Sequence, residues 1–219
     1  MDELLDLYLS ESNRPRLIDL SGGQPDLVPE WSLWFIQAAE KRGLLDKLYV
    51  WSDDNLSNDY LWKYLQPDQI AYLATCRRYG RVGCFKGFDD LSFSFNTKAS
   101  PDLFLQQFEL MRRLVAAGFD VYGYVTLTAP HSSSLHRKMA DFVDRLQEII
   151  HPLFPLRTVP LRIIPFSPTE DRIGQEQARA LDIQEQAILA WSEELRRRFS
   201  KIELAKQITE HRIGQGQTS

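Results

Sequence analysis

Cysteine is nearly missing from this sequence: Cys76 and Cys84 are the two in 219 residues. Two thiols make no disulfide framework, and neither has a partner at the spacing a zinc site requires. No apolar run approaches the roughly 18 residues of a membrane-spanning helix. The opening MDELLDLYLSES is acidic and amphipathic and lacks the basic start of a secretory signal. There is no excess of basic residues either, and a formal charge of −4 argues against a protein that works by coating nucleic acid. Internal repeats, low-complexity tracts and long linkers are wanting too. What remains is 43% hydrophobic and 26% charged, the make-up of a globular domain, with the cytoplasm as its default location.

Short apolar runs alternate with longer helical patterns. Leu4, Leu5, Tyr8 and Leu9 predict a helix over 2–11. Strand-like runs follow at 16–20, 47–51, 81–85, 120–127 and 159–165. Between them, helical spacing predicts helices from 30 to about 43, over 58–79 with a break at Pro67, over 101–117 and over 133–150. A last helix is expected from 176 to 208, with Ile188, Trp191, Leu195, Phe199 and Ile202 as its apolar stripe. Near-continuous apolar strands, each followed by a helix, call for a parallel sheet with helices on its outer face. Right-handed crossovers then make a partial (β/α) barrel of about five parallel strands the simplest topology. The expected organisation is one domain over 1–211 and a frayed tail at 212–219.

In such a barrel the chemistry gathers at the carboxyl ends of the strands. That places Ser21 to Pro25, Ser52 to Asn55, Lys86, Thr126, Thr128 and Pro165 to Ser167 at the candidate site. Gly22 and Gly23 let backbone groups approach a ligand closely, although tight turns use the same pair. Asp53, Asp54 and Asp59 offer carboxylates to a ligand, or else cap the next helix near Ser57 or Asn58. Lys86 reaches a carboxylate or merely extends along the strand end. Cys76 and Cys84 read as small buried hydrophobes, His131 and His136 as surface residues. Arg196, Arg197 and Arg198 read as a solvated helix face, and Trp34, Trp51, Trp62 and Trp191 as packing residues.

The run Arg16-Leu-Ile-Asp-Leu-Ser21-Gly-Gly-Gln-Pro25 resembles the second strand of radical SAM enzymes, whose hallmark there is Gly-Gly-Glu-Pro. Leu48 to Asn55, Val82 to Asp89, Asp120 to Thr128 and Pro160 to Phe166 are similar in order to the third to sixth strands of that family. The resemblance covers about residues 2–200, with Gly-Gly-Gln-Pro as its specific part. It implies a radical-SAM-like partial barrel that binds S-adenosylmethionine through Gly22, Gly23, Gln24, Pro25, Ser52, Asp53, Asn55, Lys86, Thr126 and Pro165. The family's acidic residue holds the methionyl amino group; here Gln24 stands in its place, offering an amide oxygen.

The resemblance also implies a [4Fe–4S] cluster on three thiolates in a Cys-x3-Cys-x2-Cys run, which this sequence does not contain. The cluster is therefore expected only with an N-terminal segment lying before Met1, and no catalytic residue or protein-held metal is assigned here. A complementing N-terminal segment, a partner subunit or a second copy is the expected partner at the open barrel edge, since an unpaired strand is a pairing template. Two alternatives stand beside this reading: a non-catalytic degenerate barrel serving as a binding or assembly subunit, and an unrelated TIM-barrel enzyme.

Overall fold

The computed structural model describes residues 1–21, 24–165 and 174–213. It is an α/β protein with helices around a five-stranded, all-parallel sheet. Strands β1 (Leu17–Leu20), β2 (Tyr49–Asp54), β3 (Tyr79–Phe85), β4 (Asp120–Thr126) and β5 (Thr158–Leu161) lie side by side in chain order. Nine helices accompany them among the described residues: α1 (Asp2–Ser10), α2 (Glu30–Lys41), α3 (Tyr60–Tyr64), α4 (Pro67–Thr75), α5 (Asp90–Thr97), α6 (Gln106–Ala116), α7 (Leu135–Arg145), α8 (Gln175–Arg198) and α9 (Lys201–Ala205). The described residues pack as two compact units, one of 1–83 and 113–122, the other of 84–112 and 123–213. No helix among them is long and apolar enough to cross a membrane.

Several expected elements fall elsewhere, each for a local reason. β2 starts two residues later than predicted and runs on through Ser52, Asp53 and Asp54, because Ser52 and Asp54 find partners inside the protein. The helical stretch over 58–79 breaks at Pro67 as expected, that residue lacking an N–H and opening α4, but α4 ends at Thr75 and β3 already begins at Tyr79. Asp59, rather than Ser57 or Asn58, precedes α3, while Asn58 accepts the Tyr60 amide. Helix α5 was not foreseen; Asp89 caps it by accepting from the Ser92 amide at 2.7 Å. Residues 101–105 form a 3₁₀ turn ahead of α6.

β5 stops at Leu161, well short of 165. The last helix ends at Arg198, since Ser200 and Glu203 form a capping box that starts α9 instead. Its buried stripe is therefore Ala180, Ile183, Ala187, Ala190 and Trp191, and Ile202 is 77% exposed. Arg198 is no solvated residue either: it bonds Asp144 at 2.5 Å, Glu194 at 3.0 Å and the Ala140 carbonyl at 3.1 Å, tying α8 to α7. Trp191 is core as expected, whereas Trp34 is 50% exposed. Gly118 follows α6 in the left-handed conformation of a C-terminal cap, with φ +89°. The part of the expected tail beyond Ile213 lies outside the described residues.

The two faces of the sheet carry different chemistry. Residues paired in register on parallel strands share a face, so the pairs Leu20↔Ser52 and Ser52↔Arg81 put Leu20, Ser52, Asp54, Tyr79 and Arg81 together. On β3 the same alternation carries Phe85, which packs against Phe108 of α6 and Phe142 of α7. This is the helix-covered face. The opposite face bears Leu17 and Asp19 of β1, then Tyr49, Trp51 and Asp53 of β2, then Gly80 and Val82 of β3.

Gly80 has a visible job there. It sits in register with Trp51, and an added methyl would run into the Tyr49 hydroxyl and lie 3.2 Å from the Trp51 ring. The space it leaves lets Trp51 meet Tyr122 of β4, with ring centroids 5.0 Å apart. Gly80→Ala is expected to destabilise the protein by about 1–2 kcal/mol through overpacking, measured as a lower urea midpoint with unchanged slope. An unchanged midpoint would show that the aromatic layer yields freely.

Candidate functional site

The carboxyl end of β1 is joined to that of β2 by side chains. Ser21 Oγ donates to Asp53 Oδ2 at 3.1 Å. Gln24 Oε1 accepts the Asn55 amide at 3.2 Å. That bond fixes the orientation of the Gln24 amide, because a backbone N–H needs an oxygen opposite it. Gln24 Nε2 is thereby left buried and without a partner among the described atoms. The amide thus presents a donor, where the sequence led us to expect an acceptor. Gly22 and Gly23 lie outside the described residues.

Directly after Gln24, Pro25 opens a 3₁₀ turn, Pro25–Leu27, which carries Asp26 inward to 2% exposure. Asp26 and Asp54 both accept from Arg81 Nη2, the latter at 3.2 Å. Arg81 Nη1 donates to the Tyr79 hydroxyl at 3.1 Å, which lies 2.8 Å from Ser52 Oγ. The guanidinium sits over the Phe119 ring, 5.4 Å from its centroid. Asp54 also accepts the Leu56 amide at 2.7 Å, holding Leu56 in a left-handed conformation with φ +52°.

The electrostatics follow from burial. The Asp54 carboxyl is pushed up to about 8, first by loss of solvent and then by the neighbouring Asp26 charge, with Arg81 opposing. For Arg81, burial alone would favour the neutral form, but the Asp26, Tyr79 and Asp54 oxygens outweigh it and hold the guanidinium charged.

Among the sequence-predicted residues of this unit, Ser21, Gln24, Asp53 and Asn55 come together at the strand ends. Ser52 and Asp54 point to the other face: Ser52 is fully buried against Tyr79, and Asp54 is bound to Arg81.

In the second unit Lys86 follows β3 directly, and Thr126 is the last residue of β4. The Lys86 amide donates to Gln107 Oε1 at 2.7 Å. Asn96 of α5 donates to the carbonyls of Lys86 and Thr128, at 2.9 and 3.0 Å, and accepts from the Thr128 hydroxyl at 2.7 Å. Thr128 is thus a lacing residue. Pro165 lies four residues past the end of β5 and is exposed, and Phe166 and Ser167 lie outside the described residues. Gln184 of α8 accepts the Ile163 amide at 2.7 Å and donates to its carbonyl at 3.0 Å, so that backbone is already in use. His131 is exposed, and His136 is also exposed, 3.3 Å from Glu193.

Sequence reasoning passed over Asp26, Arg81, Asn96 and Gln107. Arg81 carried a signal: an arginine inside the buried run Tyr-Gly-Arg-Val-Gly-Cys-Phe requires a buried acid somewhere. No group of three or more His, Cys, Asp or Glu among the described residues has a metal-holding arrangement. No family model, curated protein or solved structure matches the chain.

Proposed function

We propose that this chain is the S-adenosylmethionine-binding bulk of a radical SAM-type partial barrel, with β1 to β5 at the places of that family's second to sixth strands. The strand order supports the reading, because it runs β1-β2-β3-β4-β5 without the reversal of a doubly wound sheet. The observation that carries it is the buried, unpartnered Gln24 Nε2 beside the β1 and β2 ends. A donor left so is costly unless a ligand accepts from it. Its natural acceptor is the methionyl carboxylate, not the amino group for which a glutamate would be suited.

The chain's own residues do not fit the iron–sulfur cluster. Such a cluster needs convergent thiolates, whereas Cys76 ends α4 ahead of β3 and Cys84 is buried within β3. Burial pushes the Cys76 thiol up, away from the thiolate a metal requires. We therefore assign the chain binding and positioning only. The same two dispersed thiols favour, as a second reading, a non-catalytic barrel that acts as a binding subunit.

Calorimetric titration of S-adenosylmethionine tests the assignment through Gln24. Gln24→Glu keeps an acceptor for the Asn55 amide but removes the donor, and should weaken binding by about tenfold, the worth of one charge-assisted hydrogen bond. Tighter binding by Gln24→Glu would mean that the site holds the ammonium instead. Absence of saturable binding by the unaltered chain would overturn the proposal.

A further inference from the structure

We propose that the sheet face bearing Trp51 is a binding surface for a small organic cation. Three aromatic rings form its floor. Trp51 lies 5.0 Å from Tyr122 and 6.3 Å from Tyr49, centroid to centroid, over the gap left by Gly80. Its open part lies on β1 and β2: Tyr49 and Trp51 are half-buried, Asp19 is exposed and Leu17 is 52% exposed, whereas Tyr122 and Val82 are buried beneath. Aromatic faces carry negative potential and attract cations, most strongly when the cation sheds part of its water.

Carboxylates border the floor on three sides. Asp19 stands in register with Trp51 on β1, and Asp53 is the next residue of β2 on the same face. Asp120 accepts from the Tyr49 hydroxyl at 3.1 Å and the Tyr122 hydroxyl at 3.3 Å. Phenols that donate to a carboxylate have electron-richer rings, which deepens their attraction for a cation. The strand residues on this face, from Leu17 to Asp53 and across Gly80, include no lysine or arginine. Burial, and next the charge of Asp53, push the Asp19 carboxyl up, and a cation between the two would relieve that repulsion.

The size of the patch selects a small molecule over a protein. The partly exposed residues lie on two strands, which at about 4.8 Å spacing and some four residues of rise cover roughly 130 Å². A stable protein interface needs about 800 Å² from each partner. An ammonium or guanidinium head with a few carbons fits the smaller area. The proposal goes beyond the S-adenosylmethionine reading, with which it shares Asp53 but not the aromatic floor or Asp19.

Choline and its uncharged carbon analogue, 3,3-dimethyl-1-butanol, make the probe pair. Each is titrated into the full chain at constant ionic strength while tryptophan emission and Tm are followed. Choline should give a saturable emission change and raise Tm, and the alcohol should bind at least about tenfold more weakly. Trp51→Phe should remove the emission change. The double variant Asp19→Asn, Asp53→Asn should weaken choline by about tenfold and leave the alcohol unaffected. Equal binding of the two probes, an emission change that survives Trp51→Phe, or full choline affinity in the double variant would each overturn the proposal. So would an oligolysine peptide that outcompetes choline by more than its number of charges, since the surface would then belong to a basic protein segment. Because choline has no adenosyl or methionyl part, this test and the S-adenosylmethionine titration can fail separately.

Discussion

Arg81→Met is expected to cost about 3–5 kcal/mol, the loss seen when one partner is removed from a buried ion pair. Against the roughly 5–15 kcal/mol that holds an ordinary domain folded, that is enough to leave the variant marginal. Methionine fills much of the arginine's volume and keeps its place against Phe119, so packing is not the cause. The cause is Asp26, 2% exposed, which would face Asp54 and the protein interior with no guanidinium to answer it. Lysine should not rescue the site: one ammonium cannot replace a planar fork that serves Asp26, Asp54 and the Tyr79 hydroxyl together.

The companion variant separates charge from shape. Arg81→Met combined with Asp26→Asn and Asp54→Asn should regain most of the lost stability, because no uncompensated charge is left. The native network is itself incompletely satisfied, with Asp26 Oδ1 and Arg81 Nε unpartnered, so removing it whole forfeits little. Urea midpoints of the single and triple variants decide the matter. A single variant within about 1 kcal/mol of the parent protein would mean that Arg81 is not what neutralises these acids. The consequence reaches the candidate site, since Asp26 sits two residues past Gln24 and its bond to Arg81 ties that turn to β3.

This network also marks how far the sequence could be read. The alternation of apolar runs and helices was legible because each strand is buried on at least one face, and burial writes itself as hydrophobicity; β3, buried at every residue, is the plainest case. Polar residues paired inside the protein carry no such mark. Ser52, Asp53 and Asp54 look like a loop, and only partners 27 to 32 positions away, Tyr79 for Ser52, Ser21 for Asp53 and Arg81 for Asp54, make a strand of them. Helix α5 is short, weakly amphipathic and begins with Asp-Asp, so its pattern is hidden by the capping residues that start it. The sequence offered the Gln24 amide oxygen as an acceptor, but the Asn55 backbone N–H already occupies it. Which end of an amide faces a ligand depends on the Asn55 amide opposite it, and no local pattern records that.

The stability of the protein should fall as pH rises from about 6.5 to 8, and Asp54→Asn should remove most of that fall. The Asp54 carboxyl titrates at about 8 in the folded chain, for burial and the adjacent Asp26 charge oppose its ionisation, while in the unfolded chain it titrates at about 3.9. A folded-state value above the unfolded one means that the native protein keeps a proton the unfolded chain has released. The stabilisation is complete below about pH 4 and declines, as pH rises toward 8, by about 1.4 kcal/mol per unit. At the acid end other groups intervene. His151 and His211 are held below their ordinary values, His151 by burial and His211 by burial and then by Lys206 and Arg157, so both take protons in the unfolded chain first. They make stability rise with pH up to about 6.5 and mask the Asp54 slope there. Above that value Asp54 dominates. Asparagine offers the donor and acceptor of the protonated acid but cannot ionise, so Asp54→Asn should equal the parent protein only near pH 4 and exceed it by a margin that grows as pH rises to about 8. Denaturation curves at pH 6, 7, 8 and 9 give the two slopes, and parallel slopes would show that Asp54 is already ionised in the folded protein and held by Arg81 alone.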